Sequence, residues 1–179
     1  MKKLLFSLVL LICGTAIVSA QDFAKFRVGV TGGVNISSWT GKGCDNVSSA
    51  IGFQVGARGE YNFNNSLYLG AALLWDAKGQ KYESAHYINL PVHFGYRYNF
   101  SEKWSVFGEV GPYFACGVAG EMFTDNEDVS RFDCGLGFRV GAEYKKIQFH
   151  VGYDYGLTAT EPGSGIHNSN VMVGLSYMF

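Results

Sequence analysis

Residues 147–158 alternate without a fault: Ile147, Phe149, Val151, Tyr153, Tyr155 and Leu157 fall on one side, Gln148, His150, Gly152, Asp154, Gly156 and Thr158 on the other. A period of two with one wholly apolar face is a strand that presents that face to something oily. Residues 87–98 repeat the pattern, with Ile88, Leu90, Val92, Phe94, Tyr96 and Tyr98 against Tyr87, Asn89, Pro91, His93, Gly95 and Arg97. Six further segments, 26–39, 50–63, 66–76, 104–118, 131–145 and 168–179, alternate in the same way. Each is long enough for the roughly 9 to 11 residues of a tilted transmembrane strand. The predicted fold is therefore all-β, an eight-stranded antiparallel up-and-down transmembrane β-barrel.

A soluble sandwich or lipocalin-like barrel would wet one of these faces. Over the eight segments the apolar face carries no Asp, Glu, Lys, Arg or His, as a lipid-facing surface requires. More than half of the 24 glycines lie on the opposite face. An eight-stranded wall leaves an interior only wide enough for side chains, so small residues must interleave with large ones there. Connections alternate between short (64–65, 99–103, 145–146) and long (40–49, 77–86, 119–130, 159–167), which predicts periplasmic turns and outer loops. Phe26, Tyr61, Phe63, Tyr96, Tyr98, Trp104, Tyr144, Tyr177 and Phe179 are expected to form a periplasmic aromatic girdle, and Trp75, Phe114, Phe132 and Tyr155 an outer one. Pro91 and Pro112 each remove a ladder donor, so a β-bulge or irregularity is expected at both.

The N-terminus reads as an export signal: Lys2 and Lys3, an apolar run from Leu4 to Ile12, then Val18, Ser19 and Ala20. The predicted organisation is a signal peptide over 1–20, cleaved near Ala20, and a barrel domain over 21–179. Ile12 is bulky where a lipidation signal before Cys13 wants a small residue. Without Lys2 and Lys3, 12 basic side chains face 15 acidic ones, a balance that argues against nucleic acid as a partner. Cys44, Cys116 and Cys134 allow one disulfide at most; Cys116 and Cys134 share lipid-side parity on neighbouring strands and are the candidate pair. The final alternation, ending at Tyr177 and Phe179, resembles the C-terminal signal that barrel-assembly machinery recognises. The expected location is the outer membrane of a Gram-negative-type envelope, with outer-membrane lipid as the surroundings.

Parity places an ionisable set in the lumen: Arg58, Arg97 and Arg139 against Glu60, Asp76, Glu109, Asp133, Glu143 and Asp154, with His93 and His150 among them. The expectation is a structural polar network, because buried charges must pair. If Tyr98 pairs with Trp104, His93 and Glu109 become cross-strand neighbours, the geometry a proton relay would need. The loops hold His86 with Ser84, and His167 with Ser164 and Ser169, at no spacing a Ser-His-Asp mechanism dictates. The acidic run at 124–128 lacks the spaced oxygens of a dedicated calcium loop. No catalytic residue, metal ligand or cofactor is expected.

Five stretches, residues 29–37 (GVTGGVNIS), 77–79 (AKG), 88–92 (INLPV), 108–113 (GEVGPY) and 132–137 (FDCGLG), resemble in order the outer membrane protein beta-barrel domain family, many of whose members are called porin-family or PorT-family proteins. The resemblance implies the fold and the location and carries over no catalytic residue. The expected role is a non-enzymatic, envelope-structural or interaction module that meets a protein or surface ligand through its outer loops. A narrow porin-like channel for ions or very small solutes is the alternative, and the PorT resemblance adds an accessory of a protein-secretion machine.

Overall fold

The computed structural model describes residues 25–41, 49–80, 83–121, 123, 130–159 and 165–179. The segment read as a signal peptide, the acidic run at 124–128 and Cys44 lie outside them. Eight strands follow in order: β1 (Phe26–Gly41), β2 (Ala50–Asn62), β3 (Leu67–Gln80), β4 (Glu83–Asn99), β5 (Trp104–Ala119), β6 (Phe132–Tyr144), β7 (Ile147–Ala159) and β8 (Ile166–Met178). Each pairs antiparallel with the next, and β8 pairs with β1, so the sheet closes on itself.

The pairing can be followed once around the wall: Phe26, Tyr61, Leu69, Phe94, Val110, Phe138, Tyr153, Val171 and back to β1 at Ile36. The return lies ten residues further along β1 (36 − 26), the stagger that strand tilt demands when a sheet closes. Every residue on that path is an exposed large hydrophobic. Closed around the barrel, the apolar faces form one continuous band.

The short turns are set by side chains that occupy backbone donors. Asn64 Oδ1 accepts from the amides of Ser66 and Leu67, both at 2.8 Å, and closes the β2–β3 turn. Ser101 Oγ accepts from the amide of Trp104 at 3.0 Å between β4 and β5. Asn and Ser make such turns because their short oxygens imitate a backbone acceptor. Both expected girdles point outward, with Phe26, Tyr98 and Trp104 exposed at the turn end and Trp75, Phe114 and Phe132 exposed near the other.

Three expectations need correction. The connection at 77–86 is not a long loop: the β3–β4 ladder continues through Ala77↔His86 to Gln80↔Glu83. His86 and His167, read as loop residues, consequently sit at the outer ends of β4 and β8, stacked on Trp75 (5.6 Å) and Tyr155 (6.1 Å). The apolar face is thus free of ionisable side chains only below this rim. Neither proline shifts the register: β4 and β5 keep one register from Leu90↔Phe114 to Phe94↔Val110. The ring of Pro91 interrupts pairing toward β3 and that of Pro112 toward β4, while Pro91↔Tyr113 and Pro112↔Leu136 persist on their other edges. Register shifts occur instead at His86/Tyr87 and at Tyr155/Ala159.

A wall without free edges resists detergent until it is heated. The folded protein is expected to migrate differently on gels unheated than boiled, and a single migration at both temperatures would contradict closure.

Candidate functional site: the lumen and its outer rim

All eleven ionisable residues assigned to the lumen are buried within it. Strand alternation turns them inward, and their distribution along the axis separates them into two groups. In the turn-side half, Glu60 is the hub. It is fully buried and accepts from Arg97 at 2.6 Å, from Arg58 at 3.1 and 3.2 Å, from Arg27 at 3.4 Å and from Gln148 at 2.8 Å. Glu143 accepts from Arg27 at 2.7 Å and Gln148 at 2.9 Å. Glu109 is bonded by Arg58 and by the Tyr68 hydroxyl, the latter at 2.7 Å. The Arg97 guanidinium lies 4.5 Å over the Tyr68 ring. That ring rests on Gly95, where any Cβ would overlap it, so the glycine gives the aromatic its place. Three arginines and three glutamates, joined by Tyr68 and Gln148, bind seven of the eight strands across the lumen. Below them is a polar recess of about 200 Å³ lined by Arg27, Arg97, Glu143 and four asparagines.

The outer half is built on aspartates. Asp76 accepts from Lys78 at 3.0 Å, from Asn89 at 3.2 Å and from Asn35. Asp133 accepts from Tyr113 (3.1 Å), Thr158 (2.8 Å) and Asn168 (3.0 Å). Above them, Tyr87, Tyr113 and Phe123 form an aromatic cluster with Trp39 against it. Phe123, from beyond β5, sits over Gly117 in the space a Cβ would take, and the Arg131 guanidinium lies 5.3 Å from its ring.

Between the halves the side chains do not complete one another. Arg139 Nε and Nη2, both Asp154 carboxylate oxygens, His93 Nε2 and both amide atoms of Asn170 have no hydrogen-bond partner. Buried polar atoms at this density are those that bound water satisfies.

Sequence parity missed two cations. Arg27 and Lys78 belong to the network, so five cations face six carboxylates rather than three. The His93–Glu109 pairing was also displaced: Tyr98 pairs with Val106, not Trp104, and Glu109 lies opposite Gly95. The two side chains still approach diagonally, with His93 Nδ1 3.6 Å from Glu109 Oε2. Cys116 and Cys134 are free thiols, opposite Phe132 and Phe114 respectively and therefore one diagonal step apart. His86 and His167 stack on aromatics, and Ser169 donates to Tyr153, so none of the three joins a nucleophilic array. Among the described residues no three His, Cys, Asp or Glu side chains converge on a metal site.

The family model of the outer membrane protein beta-barrel domain matches residues 6–179. Neisserial surface protein A is a similar solved structure, 13% identical, with 85% of this chain and 97% of that one covered and a TM-score of 0.53. Ail, the attachment invasion locus protein of Yersinia pestis, is 16% identical over 87% of this chain and 99% of that one, with a TM-score of 0.49. The outer membrane protein AlkL is 13% identical over 90% and 95%, with a TM-score of 0.42. Likeness at these identities speaks to the fold alone. Comparison with curated proteins gives no match. A family match over nearly the whole chain, on a closed eight-stranded wall with a continuous apolar band, settles the assignment: the chain belongs to the outer membrane protein beta-barrel domain family.

Proposed function

We propose that this barrel is a non-enzymatic, envelope-structural or interaction module that acts from its outer rim, with a lumen that does not conduct. The observation that carries the reading is the Glu60 network, in which three arginines, three glutamates, Tyr68 and Gln148 span the lumen from strand to strand. A sealed interior leaves the outer end as the surface on which the protein meets anything else. Export through the N-terminal signal, cleaved near Ala20, and delivery by barrel-assembly machinery through Tyr177 and Phe179 belong to the same proposal.

The incompletely bonded layer at Arg139, Asp154 and His93 favours a second reading, a narrow channel for ions or very small solutes. It ranks lower because the layer is bounded below by the Glu60 network. In-cell photo-cross-linking from residues of the outer loops, with Leu73 on the apolar band as the control position, tests the first reading. A recurrent protein or glycolipid captured from the loops and not from position 73 is expected, and a secretion component would fit the PorT resemblance. Equal capture from both positions would overturn it.

A further inference from the structure

The wall is incomplete at one place. The β6–β7 ladder ends at Gly135↔Gly156, although β6 begins at Phe132 and β7 runs on to Ala159. On the other edge of β7 the pairing breaks after Tyr155↔Ser169 and resumes, shifted, at Ala159↔His167. Residues 156–158 therefore join no ladder on either side. One hydroxyl bridges the break: the Cys134 amide donates to Thr158 Oγ1 at 3.0 Å, and that hydroxyl donates to Asp133 at 2.8 Å. Asn168 of β8 donates to the same carboxylate at 3.0 Å. Side-chain bonds stand where backbone bonds would normally close the sheet.

The break has two chemically different sides. Inward lies Asp133, 3% exposed, in the half of the lumen where Asp76, Asp133 and Asp154 are accompanied only by Lys78. Outward lie Leu157, 55% exposed, and the exposed rings of Phe132 and Tyr155 at the outer edge of the apolar band. The last ladder pair consists of two glycines, which place no side chain in the gap.

From this we infer that the break is a docking slot for a single-chain amphiphile of the outer leaflet, whose hydrogen-bond-donating head enters toward Asp133 while its tail lies along Leu157 and Phe132. Charge complementarity selects the head. An amine or alcohol can donate to Asp133, whereas a carboxylate would meet three aspartates and one lysine and is repelled. Passage through the barrel is not required, so the inference goes beyond the outer-rim reading and stands apart from the identity of any protein partner.

The test uses the purified full-length barrel in phosphatidylcholine nanodiscs with three probes of equal chain length, each with a photoreactive group in the tail: an alkylamine, an alkanol and an alkyl carboxylate. The amine and alcohol are expected to label 132–134 and 157–158 about fivefold more than the same height on β2 and β3, a ratio well resolved as a binding difference. The carboxylate is expected to label all strands evenly. In Asp133→Asn the carboxylate probe should rise to the level of the amine, an exchange of preference that a merely loosened wall would not produce. Even labelling around the wall by all three probes, or an amine preference unchanged in Asp133→Asn, would overturn the slot. The three-probe comparison on the unmodified protein decides the matter if the variant does not fold.

Discussion

Replacing Glu60 with Gln is expected to destabilise the barrel by about 3 to 5 kcal/mol, the loss typical when one partner of a buried ion pair is removed. The substitution keeps the side-chain shape and removes the charge. Arg27, Arg58 and Arg97 would then share Glu109 and Glu143 alone, and Arg97 would lose its 2.6 Å contact. Removing Arg97 instead leaves Glu60 still touched by Arg27 and Arg58, so Arg97→Ala should cost less. Arg139→Ala should cost less again, because Nε and Nη2 of Arg139 have no partner to lose. Urea titration of the detergent-refolded protein, read by the gel shift between folded and unfolded forms, gives the order. A Glu60→Gln barrel as stable as the parent would remove the hub from the account.

Deleting Phe179 is expected to reduce assembled barrel sharply in cells while leaving refolding from urea nearly unchanged. The contrast follows from what the residue does in the folded state. Its amide donates to Val28 O at 2.8 Å and its ring meets Tyr177 edge-on at 5.6 Å, but the ring itself is exposed. Losing one such hydrogen bond costs about 1 kcal/mol, too little to prevent folding. A large loss in cells would therefore report failed recognition by the assembly machinery. Normal assembly of the deletion in cells would show the terminal residue to be incidental.

The fold was legible because alternation is a local signal: each strand shows its two faces within a dozen residues. The lumen assignment followed from the same parity, which placed residues as far apart as Glu60 and Glu143 in one interior. Errors arose where a strand ends. Arg27 has lumen parity but stands one residue inside β1, and Lys78 was lost when β3 was ended at Asp76. Ala77, Lys78 and Gly79 look like a loop in isolation, and only pairing with residues 84–86 makes them strand.

Register was less legible than parity. A shift of two residues, as between Tyr98↔Trp104 and the observed Tyr98↔Val106, keeps every face correct and moves every cross-strand neighbour. The same limit hid the break beside β7. Residues 156–158 alternate as regularly as the rest of their strand, and the loss of their partners depends on where β6 and β8 stop pairing. The prolines show the converse case. Both looked disruptive in sequence, yet each turns its missing donor to one edge and leaves the other edge paired.

The central claim is that the lumen is closed by its own ion pairs, and the most direct measurement is conductance of the purified, unmodified protein in a planar lipid bilayer. The Glu60 network predicts small or absent current, with cation leak appearing only when a lumen arginine such as Arg97 is replaced by Ala. Stable, reproducible and solute-selective steps from the unmodified protein would contradict the closed lumen and put the narrow channel in its place.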